Sequence, residues 1–209
     1  STASYDSAFS LSGQGAQGRM GLDFNTDGTK MFIVSYQNDS IHEYTLSTGW
    51  DVSTASYVDA FDVSSQDNDP MGLAFSTDGT KMFMTGDTGN DINEYTLTTG
   101  FDVSTASYVD SLDVSSYDTT VRDIAFNDDG TKMFYSGHQY ADVHLWTLST
   151  AFDISTATYN SAISLPSFDT GAEDIEFSTD GTKLFVSGNN GNTIDEYTLF
   201  SGFDDWDKA

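Results

Sequence analysis

Apolar and polar residues alternate along this chain in short runs punctuated by Gly and Asp, and no stretch carries a helical period. In the second quarter, "MGLAFS" and "TKMFMTG" flank the Asp78-Gly79 pair, "DINEYTL" follows a polar loop, and "SYVDSLDV" comes after "TTGFDVSTA". Alternation of this kind buries one face of a strand and wets the other, so four successive strands and an all-β chain are predicted.

The pattern then repeats. "FNTDGTKMF" from Phe24 returns as "FSTDGTKMF" from Phe75, "FNDDGTKMF" from Phe126 and "FSTDGTKLF" from Phe177, and Asp27, Asp78, Asp129 and Asp180 are each 51 residues apart. Four strands per repeat describe a propeller blade. The prediction is a single domain, residues 1–209, forming a four-bladed β-propeller of four antiparallel strands per blade, with units at about 1–52, 53–103, 104–154 and 155–209. Strands of the "ASYVDAFDV" kind lie near Tyr5, Tyr57, Tyr108 and Tyr159, so residues 4–11 are expected to pair with the strand around Tyr197 and close the ring. Within "TDGTK" the glycine suits a position with φ > 0 in a tight turn. The Phe residues before and after each turn are expected to pack between blades. "DFNTDG" at Asp23 mimics the start of a calcium loop, but the other units break that pattern and the later Glu is missing.

"FSTDGTKMFMTG" followed by "INEYTLTTG" resembles the Ser-Pro-Asp-Gly type repeats of YVTN, NHL and TolB-like β-propellers, and the resemblance covers all four units. It implies the fold. For function it implies binding scaffolds, surface proteins and occasional enzymes.

Propeller topology sorts the loops. The Asp-Gly turns and the "TGFDVSTASY" connectors fall on one face and barely differ among units, whereas the loops before the inner strand and between the second and third strands share the other face and differ. A single ligand near a pseudo-symmetric axis needs different groups from each blade, so the variable face is the candidate binding surface. Unit three diverges most, with "LWTL" in place of "EYTL". The predicted pocket comprises Tyr117, Arg122, His138 and Tyr140 from unit three with Phe168, Glu173 and Asn190 from unit four; rings, amides and carboxylates together suit a sugar. Asp67, Asp118 and Asp169 recur at one loop position, and Asp123 and Asp174 begin inner strands, an oxygen-rich set that suits Ca²⁺. Asx-turns are the structural alternative for those loop aspartates. His138, His144 and His42 lack the third ligand that zinc requires.

Charge narrows the partners. Thirty-three acidic residues, 28 of them Asp, against 7 basic ones give a net charge of −26, which repels nucleic acid and anionic membrane surfaces. No apolar run approaches the roughly 18 residues of a membrane span. So many carboxylates repel one another unless salt or bound cations screen them, which points to a salty, marine or calcium-rich setting. The absence of cysteine excludes disulfides and thiolate chemistry. A start at Ser1 suits a processed or excised domain, and the protein is expected to be secreted or displayed at a cell surface. No nucleophile elbow, phosphate loop or His-Glu-x-x-His occurs. The expected role is an extracellular binding or structural module for a glycan or protein surface, with calcium as the candidate cofactor. The alternatives are a polysaccharide lyase or hydrolase, and a blade fragment that assembles into a larger propeller or filament. The oligomeric state is not legible.

Overall fold

A computed structural model describes residues 4–15, 21–165, 171–188 and 192–199. The protein is an all-β, four-bladed β-propeller. Blade one contains β1 (Leu22–Phe24), β2 (Lys30–Ser35), β3 (Ser40–Leu46) and β4 (Ala55–Asp62). Blade two contains β5 (Pro70–Phe75), β6 (Lys81–Gly86), β7 (Asp91–Leu97) and β8 (Ala106–Asp113). Blade three contains β9 (Val121–Phe126), β10 (Lys132–Gly137), β11 (Asp142–Leu148) and β12 (Ala157–Ser164), and blade four β13 (Ala172–Phe177), β14 (Lys183–Gly188) and β15 (Ile194–Thr198). Every sheet is an antiparallel meander in chain order. The first strand of each blade faces the axis.

The repeated turn forms for local reasons. Asp78 Oδ1 accepts from the Thr80 N–H at 3.0 Å and from the Thr80 hydroxyl at 2.7 Å, and Asp27, Asp129 and Asp180 do the same with Thr29, Thr131 and Thr182. Gly79 takes φ +70, and a Cβ there would stand 2.2 Å from the Phe101 ring that covers the turn. No L side chain fits that place.

Apolar faces meet between blades. Phe32 of blade one packs on Phe75 of blade two at 4.5 Å between ring centroids, Phe83 on Phe126 at 4.4 Å, and Phe134 on Phe177 at 4.5 Å. Each buried set therefore joins one blade to the next, as the repeated Phe pairs predict. A polar clip reinforces two junctions. Glu43, buried in blade one, binds Lys30 at 2.6 Å and accepts from the Val103 N–H of blade two's connector at 3.0 Å; Glu94 binds Lys81 and the Ile154 N–H likewise.

The junction of blade four with blade one is built differently. Residues 4–11 form no ladder among the described residues, and β15 has β14 as its one described partner, so the expected pairing of 4–11 with the strand around Tyr197 is not seen there. Phe9 and Leu11 instead pack on blade one, where Phe9 meets Tyr44 edge-to-face at 5.4 Å. Phe61 of blade one meets Tyr95 of blade two in the same way at 5.5 Å. The amino-terminal segment thus occupies the place of a preceding blade's outer strand.

Candidate functional site

Arg122 and Glu173 begin β9 and β13, two neighbouring inner strands, and hydroxyl rungs fix both backbones. Thr85 Oγ1 accepts from the Gly72 N–H at 2.8 Å and donates to the Arg122 carbonyl at 2.7 Å, and Ser136 Oγ links the Asp123 N–H to the Glu173 carbonyl in the same way. The buried Arg122 guanidinium donates from Nη1 to Asp87 Oδ2 at 2.6 Å, while its Nε faces Glu173 Oε2 at 3.5 Å. The other oxygen of Glu173 lies 2.9 Å from His138 Nδ1. Gly171 passes so close to this imidazole that a Cβ would be 2.5 Å from Nδ1, so any larger residue would push the ring aside. Blades two, three and four thus contribute to one row, Asp87, Arg122, Glu173 and His138. Only Glu173 and His138 are substantially open to solvent.

This row stands at one end of an axial channel of about 740 Å³, lined by residues from all four inner strands. Arg122 is the one Lys or Arg on its described wall, against the carboxylates of Asp23, Asp123, Asp174 and Glu176. Burial raises Asp123 well above the usual carboxylate range, and the adjacent Asp174 adds to the effect. Asp123 Oδ2 also accepts from the Ile175 N–H at 3.0 Å. Burial raises Asp23 to about 7 against the opposing hydrogen bonds from the Phe24 and Phe75 backbone, and raises Glu176 with help from Asp174. The channel is therefore acidic, and in it burial brings Asp23 to the point of taking up a proton near neutrality.

The structure brings together Arg122, His138 and Glu173 from the predicted pocket. Tyr140 lies on the neighbouring loop with its ring exposed, and its N–H serves Asp118. Tyr117 stands apart from this group: it meets Tyr159 at 4.2 Å and Trp146 at 5.1 Å, against the apolar junction of blades two and three. The divergent "LWTL" is absorbed by the same packing, since Leu145 and Trp146 are buried in interblade clusters. Phe168, Asn190 and Asp169 lie outside the described residues.

The structure places the calcium candidates Asp67 and Asp118 at ties between loops. Asp67 accepts from the N–H groups of Asp69, Thr88 and Gly89, and Asp118 from those of Thr120, Gln139 and Tyr140, so each carboxylate is consumed in holding two loops together. Among the described residues no three His, Asp or Glu side chains converge on a metal position. His42 and His144 are buried strand residues whose pKa burial lowers. The predicted pocket omits Asp87, Thr85, Ser136 and Glu176, and the sequence marks Asp23 only as a calcium-loop mimic; the signal for Asp23 and Glu176 is that Ala74 and Ala125 hold the same position in the other blades.

No protein-family model and no curated protein matches the chain. Solved structures do match in fold. A Bacteroides uniformis protein provisionally assigned as a 6-phosphogluconolactonase superposes with a TM-score of 0.62 at 14% identity, covering 86% of this chain and 50% of that one. The periplasmic gluconolactonase PpgL of Pseudomonas aeruginosa gives 0.57 at 13%, covering 86% and 49%. A chain of the nidogen/laminin complex gives 0.61 at 12%, covering 88% and 61%. The chain spans about half to three fifths of the length of these proteins. At such identity the likeness carries the propeller fold alone.

Proposed function

We propose that the protein is a binding module that takes a neutral, hydroxyl-rich ligand of carbohydrate type at the Glu173–His138 end of the channel. The observation that carries this reading is the cross-blade row itself: Asp87 and Glu173 flank Arg122, Glu173 lines the channel, and His138 stands beside Glu173, part-exposed. Carboxylate and imidazole groups held rigidly in this way orient hydroxyls, and the exposed rings of Tyr140 and Tyr36 on the same face offer stacking surfaces. A phosphorylated sugar fits poorly, because the one described cation of the channel, Arg122, is already paired and the rest of the described wall carries carboxylates. The net charge of −26 supports a secreted or cell-surface setting of high ionic strength.

The test is a glycan array of neutral and acidic sugars, run with and without calcium, followed by calorimetry on the hits. Glu173→Gln and His138→Ala should each weaken binding of a neutral glycan at least about tenfold, near 1.4 kcal/mol, with the melting temperature little changed. Wild-type affinity in both variants, or selective binding of anionic sugars, defeats the reading. Arg122→Ala is the wrong probe, because it breaks the largely buried ion pair with Asp87 and should cost about 3 kcal/mol of stability.

A second reading rests on Asp23, raised by burial to about 7 as suits a general acid, and on Asp123, which burial and Asp174 raise well above the usual carboxylate range. Hydrolysis of a bound glycan or sugar lactone that vanishes in Asp123→Asn would favour it. Binding without turnover would remove it.

A further inference from the structure

Three junctions inside the molecule record what the outer face of a blade requires. Ile41, Ile92 and Val143 are wholly buried against the following blade, whereas their counterpart in blade four, Ile194, is 75% exposed. The clip glutamate behaves alike. Glu43 and Glu94 are each 2% exposed beneath the next blade's connector, while Glu196 holds Lys183 at 2.5 Å but is 55% exposed. One period before Val103, the acceptor-seeking position is Val52, and no described side chain binds its N–H. Its connector, with the exposed Trp50, borders a cleft of about 720 Å³ whose other wall is residues 4–7. Leu22 at the start of blade one is 57% exposed, although Leu73, Ile124 and Ile175 at the same position are buried. Among the described residues, both halves of a blade junction thus stand unjoined at the two sides of one seam.

We propose that a second copy of this chain fills the seam: blade four of each copy docks on blade one of the other, with Ile194 covered and Glu196 accepting from the Val52 N–H. The partner's chemistry is given by the internal junctions, which bury the apolar position of Ile41, Ile92 and Val143 three times and clip a glutamate to the next connector twice. Residues 4–11, already seated on blade one, would supply the outer strand beside β15, which has β14 as its one described partner, with Phe9 keeping its place against Tyr44. Head-to-tail contacts of this kind close only at a fixed number of copies. Two copies give eight blades, and the solved propellers that match are about twice this chain's matched length.

Light scattering on the purified chain across a dilution series reads the answer. A mass of twice 22.7 kDa that falls to one chain in both Ile194→Asp and Glu196→Arg, with unchanged circular dichroism, is the expected result. Because both side chains are exposed in the single chain, neither change should unfold it. A single-chain mass for the wild type at every concentration overturns the proposal and favours closure within one chain. So does a dimer that survives both substitutions.

Discussion

Asp23 holds a proton more tightly in the folded chain than out of it, with a pKa raised to about 7 by burial. An aspartate in the unfolded chain titrates near ~3.9, so between the two values the native state is the one that binds the extra proton. Its contribution to stability is full below about pH 4 and is lost as pH rises through about 7. Asp123 and Glu176 act in the same direction. The turn aspartates act oppositely, since hydrogen bonds from serine and threonine lower them, Asp180 to about 2, and they stay ionised across this window. The melting temperature should fall between about pH 5 and pH 8, and Asp23→Asn should flatten that fall. Parallel curves for variant and wild type would refute the assignment.

At the scale of single elements, the loop after β10 depends on a pair. Asp118 binds three loop N–H groups, and a Cβ on Gly137 would stand 2.4 Å from its Oδ2. Gly86 stands in the same relation to Asp67. Gly137→Ala should therefore cost about 2 kcal/mol by dislodging a carboxylate that satisfies buried donors, and adding Asp118→Ala should cost much less than the sum of the two changes. Additive losses in denaturant unfolding would show that the two positions are independent. The turns, the strand order and the interblade Phe pairs were legible in the sequence because each is either local or repeated in every unit. The destination of Tyr117 was not, since Gln66 stands at that position in unit two and only packing reveals that ring and Trp146 fill the junction together. Arg122 was placed correctly, yet its burial between Asp87 and Glu173 depends on three blades meeting, which no single repeat encodes.

For the whole molecule, charge and the seam govern behaviour. Added NaCl should raise the melting temperature by screening a net charge of −26. CaCl₂ at matched ionic strength should raise it further only if calcium binds specifically, and identical curves would remove the metal from the functional proposal. The clips of Glu43 and Glu94 carry a consequence for descent. Each reaches from one blade to the connector of the next, so no blade holds all of its own fastenings. Yet gain or loss of a 51-residue stretch at this part of the chain, wherever its ends fall, rejoins a glutamate of the same kind to a connector of the same kind. Unequal recombination can thus change the number of blades without severing a fastening, whereas a point mutation in Glu43 severs one at once. In such a lineage, ancestry is recorded more readily in how many blades there are than in what each contains.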